Sequence, residues 1–250
     1  MKNPFLDFKD VAVPNKDIPL VRIVENSRQV MDELLAGYRS LDHDHVKEFC
    51  RLLAHGLNFN VYKTLLSSME MPKFLASTLA IALTVYESCL QLIRGIKYEP
   101  HDIEELCAFM GLSKEVDFEH SAPLGLYISA LINASKESCF ELNLHNYQCG
   151  LHFLGFRLKE RKHLSVIGDL GHFSGAGLQG GYLEVTGSTG SWCGADMMSG
   201  RIKVAGDAHS KTGEQMKGGQ IQVNGRIQEI AKYRSGGDIR SKYDEDRHPS

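Results

Sequence analysis

The sequence predicts an α+β protein in two parts: an N-terminal α-helical bundle followed by a short right-handed parallel β-helix, a single-stranded solenoid with 19-residue coils. Three observations predict it. From Leu164 to Val223 the sequence repeats every 19 residues without insertion or deletion. Two apolar columns two residues apart run through that repeat: Leu164, Leu183, Ile202 and Ile221, then Val166, Val185, Val204 and Val223. Upstream of Lys136 apolar residues follow helical spacing, whereas from Cys139 the period falls to two, with Phe140, Leu142 and Leu144 alternating with Glu141, Asn143 and His145.

A chain of 250 residues can bury one large core or two modest ones. Its formal charge of −3 advertises no polyanion partner, since a nucleic-acid binder usually carries a basic face large enough to shift the total. Met1 to Asp10 has charge and Pro4 but no apolar h-region, so no signal peptide is expected. The most apolar run, Phe74 to Tyr86, is interrupted by Ser77, Thr78 and Thr84 and falls short of the roughly 20 residues of a membrane span, so it predicts a buried helix. Six scattered cysteines, Cys50, Cys89, Cys107, Cys139, Cys149 and Cys193, form no C-x-x-C pair or zinc spacing. Reduced thiols in a cytoplasmic protein follow.

Four segments are predicted in chain order: an irregular arm over 1–25, a helical domain over 26–136, the β-helix over 137–233 and a flexible tail over 234–250. In the arm, Pro4, Pro14 and Pro19 punctuate the chain, and Leu20 to Val24 either adds a short strand or packs on the core. Asn26 or Ser27 caps a first helix carrying Val30, Leu34, Leu35 and Tyr38, weakened near its end by Gly37. Asp42 or Asp44 caps a second, with Val46, Phe49, Leu52 and Leu53 on one side and Gly56 as the stop; a third follows from Asn58 or Asn60 through Tyr62, Leu65 and Leu66. Pro72 opens a helix, apolar nearly all round, that continues through Leu83, Leu90 and Ile93 to Gly95 and is expected at the centre of the bundle. Asp102 caps a short helix with Ile103, Leu106, Cys107 and Met110 inward and Gly111 as its stop. A last helix runs from about Pro123 to Ala134 with Leu124, Tyr127, Ile128 and Leu131 inward.

In the repeat, stacked coils about 4.8 Å apart place equivalent residues above one another, so Leu, Ile and Val ladders fill the bore. Outward between them, Glu184, Lys203 and Gln222 form a column that sets a carboxylate beside an ammonium. A second inward column is Leu178, Met197 and Met216, and a small-residue column is Ser174, Cys193 and Thr212, which makes Cys193 a packing residue rather than a nucleophile. The turns are marked by glycine columns: Gly168, Gly187, Gly206, Gly225; Gly175, Gly194, Gly213; Gly181, Gly200, Gly219; and Gly171, Gly190, which His209 interrupts. Trp192 lies in the column Phe173, Trp192, Lys211 and reads as a surface or interface aromatic, with core packing as the alternative. A solenoid has two open ends. The helical domain or the Phe140 to Leu144 strand is expected to cover the first coil, and Arg226 to Tyr233, with Ile227 and Ile230 inward, the last.

The glycine pattern of "GDLGHFSGAGLQGGYLEVTG" and "GDAHSKTGEQMKGGQIQVNG" resembles the glycine-repeat β-helix domain at the C-terminus of the glutamate synthase large subunit. The same domain forms the C subunit of formylmethanofuran dehydrogenase and of the related formyltransferase/hydrolase complex. The resemblance covers about residues 140–230. It implies an architectural role, in which the β-helix holds catalytic domains or subunits in place and carries no active-site residue. The sequence departs from the pattern at His209, at Ser199 in one Gly-Gly pair, and in a disturbed first turn over Cys149 to His163, where Arg157 to His163 has the look of an inserted loop. The amidotransferase that such domains serve begins with a catalytic cysteine. This chain opens Met1, Lys2 and has no cysteine before Cys50.

Other candidate chemistry has plainer readings. His43, Asp44 and His45 could ligate a metal but fit a helix-capping cluster. His172, His209, Asp169 and Asp207 fall on turns as solvated corner residues; Ser188 separates the two aspartates, so they make no tight carboxylate pair. Gly175 to Gly177 lies on a repeat corner and opens no helix, so it is no dinucleotide fingerprint. Ile103 to Val116 resembles the start of a helix-turn-helix, yet Glu115, Asp117 and Glu119 beside Lys114 repel phosphates. No catalytic residue, metal ligand set or cofactor is therefore predicted. The expected function is a non-catalytic scaffold or protein-interaction protein, with a protein partner or homo-oligomer, and Trp192 and His209 as candidate partner surface. The alternatives are an accessory subunit of a redox or one-carbon enzyme complex, a stand-alone enzyme with a site between its two parts, and a DNA-associated protein.

Overall fold

A computed structural model describes residues 20–41, 71–112, 118–147 and 150–243. Among these residues lie four helices, α1 (Leu20–Arg39), α2 (Met71–Leu92), α3 (Pro100–Leu112) and α4 (Phe118–Ala134). Six strands follow: β1 (Cys139–Asn143), β2 (His163–Ile167), β3 (Gln179–Val185), β4 (Ser199–Val204), β5 (Gln220–Val223) and β6 (Asp238–Ser241). The strands pair in parallel and in sequence order, and they form one face of a β-solenoid of about 4 turns with about 19 residues per coil.

The register is the one the apolar columns require. Leu164 pairs with Leu183, Leu183 with Ile202 and Ile202 with Ile221, and the Val166, Val185, Val204, Val223 column stacks likewise. All eight side chains are buried, as are Phe140 and Leu142 of β1 beneath them. A second line of parallel bridges runs through Leu151, Leu170, Thr189, Ala208 and Ile227. Leu178, Met197, Met216 and Ser174, Cys193, Thr212 are fully enclosed. At the corner after each strand the coils touch backbone to backbone: Gly187 N–H donates to Gly168 O, Gly206 to Gly187 and Gly225 to Gly206. A Cβ on Gly187 would lie 2.5 Å from Gly168 O, and one on Gly225 2.6 Å from Gly206 O, so close stacking itself demands glycine there.

Both departures within the repeat have local causes. The left-handed residue of the Gly-Gly corner is Gly180 in one coil but Gly200 in the next, and a register shift between Gln179 and Tyr182 absorbs the difference. Ser199 is tolerated because the following glycine takes the left-handed φ of 98°. In the first coil Leu151 bridges Leu170 and His163 pairs with Tyr182, so the coil as a whole keeps the step of its neighbour. Inside it Lys159 bridges Gln179, one residue further on, so a single extra residue lies between Lys159 and His163 and is offset by one fewer before Lys159. The larger addition falls between Asn143 and Leu151, where Tyr147 folds back to donate to Cys107 O at 2.8 Å.

Several expectations are corrected. Helix α1 begins at Leu20, inside the stretch assigned to an irregular arm, and carries Asn26 and Ser27 within it. The tail assigned as flexible over 234–250 supplies a sixth strand: β6 pairs with β5, Ile221 against Ile239 and Val223 against Ser241. Gly236 and Gly237 repeat the corner glycines before it. Of the predicted last-coil residues, Ile227 is buried but Ile230 is 38% exposed. Asp102 is not the cap of α3 but its third residue; its carboxylate accepts from Glu99 N–H at 2.7 Å, with Pro100 as the first helical residue. The helices and caps expected over 42–70, including the His43, Asp44, His45 run, lie outside the described residues.

The centre of the helical half also differs. Helix α2 buries one side, with Leu75, Thr78, Ala82, Val85, Tyr86 and Cys89 inward, while Lys73, Ala76, Ser77, Ala80, Thr84 and Glu87 are exposed. Over Lys73–Leu92 it spans 20 residues at mean hydropathy 1.4, long and apolar enough to cross a membrane by composition, which the shorter apolar run did not suggest. Helix α4 is instead buried on every side from Ser121 to Asn133, between α2 and the first coil. One continuous hydrophobic cluster joins Leu34 of α1, the inner residues of α2, α3 and α4, and the solenoid bore as far as Ile227. The described helices thus share one core with the solenoid.

The register makes a direct prediction. Val204→Asp puts a carboxylate into the closed ladder and is expected to cost at least ~3 kcal/mol in urea unfolding. Lys203→Asp, one residue away on the outer face, should leave the protein folded with a melting temperature near that of wild type.

Candidate functional site

The seam between α4 and the first coil gathers the buried polar residues Ser129, Asn133, His152 and Lys162. Its origin is geometric. In interior coils the backbone donates to the coil before: Gly175 N–H to Leu154 O, Gly194 to Ser174 O, Gly213 to Cys193 O, and Gln179 to Leu158 O. The first coil has no predecessor. Two α4 side chains, four residues apart on one helix face, stand in for it. Ser129 Oγ accepts from Gly155 N–H at 3.0 Å, and Asn133 Oδ1 accepts from Lys159 N–H at 3.0 Å. Asn133 Nδ2 also donates to Phe156 O at 3.1 Å and to Tyr86 Oη at 3.0 Å, which ties α2 into the same junction.

Gly125, one turn before Ser129, brings the helix against the coil; a Cβ there would lie 1.9 Å from His152 O. Lys162 closes the far end, its ammonium donating to Ser135 O at 2.6 Å and to Glu137 O beyond the last turn of α4 and lying over the Phe140 ring. Burial, more than the neighbouring Lys159, pulls its pKa below the usual lysine value. Helix α3 packs on β1, the edge strand of the same coil.

Around this seam the corner residues stack in columns. Phe153, Phe173 and Trp192 lie face to face, with ring centroids 4.6 and 4.9 Å apart and planes within 7° and 2°. Each has a left-handed φ, from 58° to 61°, and Lys211 continues the column at 61°. This conformation costs a bulky residue about 1–3 kcal/mol. Stacking offsets it, as does an N–H bond from each of the three aromatics to the next coil, at 2.9 Å to His172 O, Ser191 O and Ser210 O. Trp192 is 1% exposed and meets Phe74 of α2 at 6.0 Å, so it is an internal contact between helix and solenoid and not a surface for a partner. Lys211 is buried with it and holds Glu229 at 2.7 Å.

The histidines serve the same stacking. His152 Nδ1 accepts from His172 N–H at 2.8 Å, and His172 Nδ1 accepts from Ser191 N–H at 3.0 Å; the rings are 4.9 Å apart. Accepting at Nδ1 requires that nitrogen to be unprotonated. Burial drives His152 down to about 3, with His172 adding to it, and His172 down to about 4, with His209 adding to it. The imidazoles also explain a glycine column. A Cβ on Gly171 would meet His152 Nδ1 at 2.0 Å, and one on Gly190 would meet His172 Nδ1 at 2.8 Å. The third position, His209, follows a coil in which Ser191 replaces the histidine, so a side chain fits, and it projects into solvent.

Asp169 and Asp207 sit on exposed corners as expected. Asp169 Oδ1 accepts from Ser188 N–H, Ser188 Oγ from Asp207 N–H and Asp207 Oδ1 from Arg226 N–H, a cap passed from coil to coil. Cys193 is enclosed, and burial pushes its thiol up to about 11, far from a reactive thiolate. Among the described residues no group of three His, Cys, Asp or Glu is placed to hold a metal ion.

The outer sheet face is the other polar surface. Lys203 donates to Glu184 at 2.6 Å, and this bond holds the Glu184 carboxyl below the usual carboxylate range. Tyr182 packs against His163 at 4.6 Å with the rings tilted by 35°, and Arg201, Gln220, Gln222 and Arg240 extend the two rows along the sheet. Missed in the sequence were Ser129 and Asn133 with Gly125, His152 and the β6 strand. The four-residue spacing Ser121, Gly125, Ser129, Asn133 and the echo of Gly-Gly-Gln-Ile-Gln-Val in Gly-Gly-Asp-Ile-Arg-Ser carried those signals. Comparison of the chain with protein-family models, curated proteins and solved structures gives no match.

Two predictions follow from the seam. Gly→Ala inside a helix ordinarily gains about 1 kcal/mol; Gly125→Ala should instead lose about 2 kcal/mol or more, because the obstacle is backbone. Ser129→Ala and Asn133→Ala should each cost about 1–3 kcal/mol through unsatisfied buried N–H groups, all read by urea unfolding. The second concerns pH. His152 and His172 titrate lower in the folded than in the unfolded chain, so the unfolded state binds more protons between about pH 3 and the ordinary value of 6.5. The histidine contribution is complete above that window and shrinks as pH falls through it. Melting temperature should decline on acidification from pH ~7 to ~4, and less steeply in His152→Asn, which keeps an acceptor for His172 N–H but has no proton to gain.

Proposed function

We propose that the protein is a non-catalytic scaffold, a protein-interaction module built on its solenoid. The observation that carries this reading is where the reactive groups are spent. His152 and His172 accept backbone N–H groups, Asp169 and Asp207 cap corners, Cys193 fills the bore, and Ser129 and Asn133 complete the first coil. Among the groups the fold leaves at the surface is a sheet face with Tyr182, Glu184, Arg201 and Lys203 in rows fixed by the coil spacing, a pattern suited to a complementary protein surface.

A second reading is an accessory subunit of a redox or one-carbon enzyme complex, in which the solenoid docks a catalytic partner. It is favoured by the glycine spacing that resembles the β-helix domains of glutamate synthase and formylmethanofuran dehydrogenase. Association with DNA through a helix-turn-helix is disfavoured, because α4, the helix after α3, is enclosed on all sides from Ser121 to Asn133 and has no face to enter a groove.

In a strain lacking the protein, a folded His152→Asn, His172→Asn, Cys193→Ala variant should restore the wild-type phenotype. Arg201→Glu with Lys203→Glu should not, and should lose the protein partner on co-purification. A folded triple variant without activity would overturn the scaffold reading. A flavin or molybdenum/tungsten enzyme in the co-purified fraction is expected only for the accessory subunit.

A further inference from the structure

We infer that the C-terminal end of the solenoid is a self-association surface, where β6 pairs antiparallel with β6 of a second copy about a two-fold axis at Ile239. The two ends of the solenoid are finished differently. The first coil is closed by α4 and α3. At the last coil β6 pairs with β5 alone, and among the described residues no strand lies along its other edge. The same coil leaves Ile230 38% and Tyr233 65% exposed, two of the few large apolar side chains on the described surface.

Strand geometry selects the register. Asp238 N–H donates to Gly219 O, toward β5, so the N–H and C=O of Ile239 point to the free edge. Two Ile239 residues facing each other across a two-fold axis then exchange both backbone hydrogen bonds. That pairing sets Asp238 of each copy opposite Arg240 of the other, on the outer face, where Arg240 already bonds Asp238 of its own strand at 2.7 Å. Shifting the centre to Arg240 would oppose two guanidinium groups, so charge favours the Ile239 centre. One alternative occupant within the chain is the adjoining sequence after Tyr243, Asp-Glu-Asp-Arg-His-Pro-Ser, which has no large apolar side chain to set against Ile230 and Tyr233. A second copy brings both the complementary charges and its own Ile230 and Tyr233.

Sedimentation equilibrium of the full chain tests this. A dimer is expected for wild type, a monomer for Arg240→Asp, and a dimer again for the exchanged pair Asp238→Arg with Arg240→Asp, each checked for folding by circular dichroism. Deleting residues 244–250 should leave the dimer intact. Hydrogen exchange gives a reading independent of substitutions: the Ile239 amide should be protected in wild type, and less so on dilution. A monomeric wild type, a dimer indifferent to Arg240→Asp, failure of the exchanged pair to recover it, or dimerisation only after the tail is removed would each overturn the inference. The last outcome would assign the edge to the chain's own C-terminus.

Discussion

The constraint on which the rest depends is that every coil must hand its backbone hydrogen bonds to the next. Inside the stack this is automatic, because parallel coils in register present each N–H with a carbonyl. It fails at the ends, where a row of buried groups has no partner, and an unsatisfied buried N–H costs about 1–3 kcal/mol. Helix α4 resolves this at the first coil. Ser129 and Asn133 offer oxygens where a preceding coil would have offered carbonyls. To do so the helix must lie against the coil, which requires Gly125 and buries α4 on all sides. The helical half is therefore the solenoid's end piece, and the shared core of the two halves is a consequence.

The same constraint disposes of the residues that look chemical. A column of equivalent positions repeats at the coil spacing, so any side chain placed at a corner must tolerate a copy of itself above and below. Flat rings do, and Phe153, Phe173 and Trp192 form a stack held at a left-handed φ that isolated aromatics avoid. Imidazoles do so only when neutral, and His152 and His172 are kept neutral by burial while each accepts a backbone N–H from the following coil. Lys211, the cation that ends the aromatic column, is balanced by Glu229. These groups resemble parts of an active site in composition but each is committed to its neighbour in the stack.

The sequence by itself determined the register. A strict period places Leu164, Leu183, Ile202 and Ile221 in one column and their valine companions in the next, because stacked coils allow no other alignment of buried side chains. It also placed Cys193 among packing residues and the Glu184–Lys203 pair on the outer face, since both follow from position within one repeat. What escaped was whatever depends on a partner outside the repeat. Trp192 could be surface or core until α2 was laid across its column. Helix α2 looked central from its apolar composition, whereas α4 is central because of the contacts its small and polar face makes. The last coil carries Gly236, Gly237 and Ile239 with charged neighbours, and the loss of a single spacing step hid it among polar residues. Periodicity reports which side chains share an environment. Only the tertiary structure decided which surfaces meet, because the end of a stack is defined by the absence of a neighbour, and no local pattern encodes what fills that place.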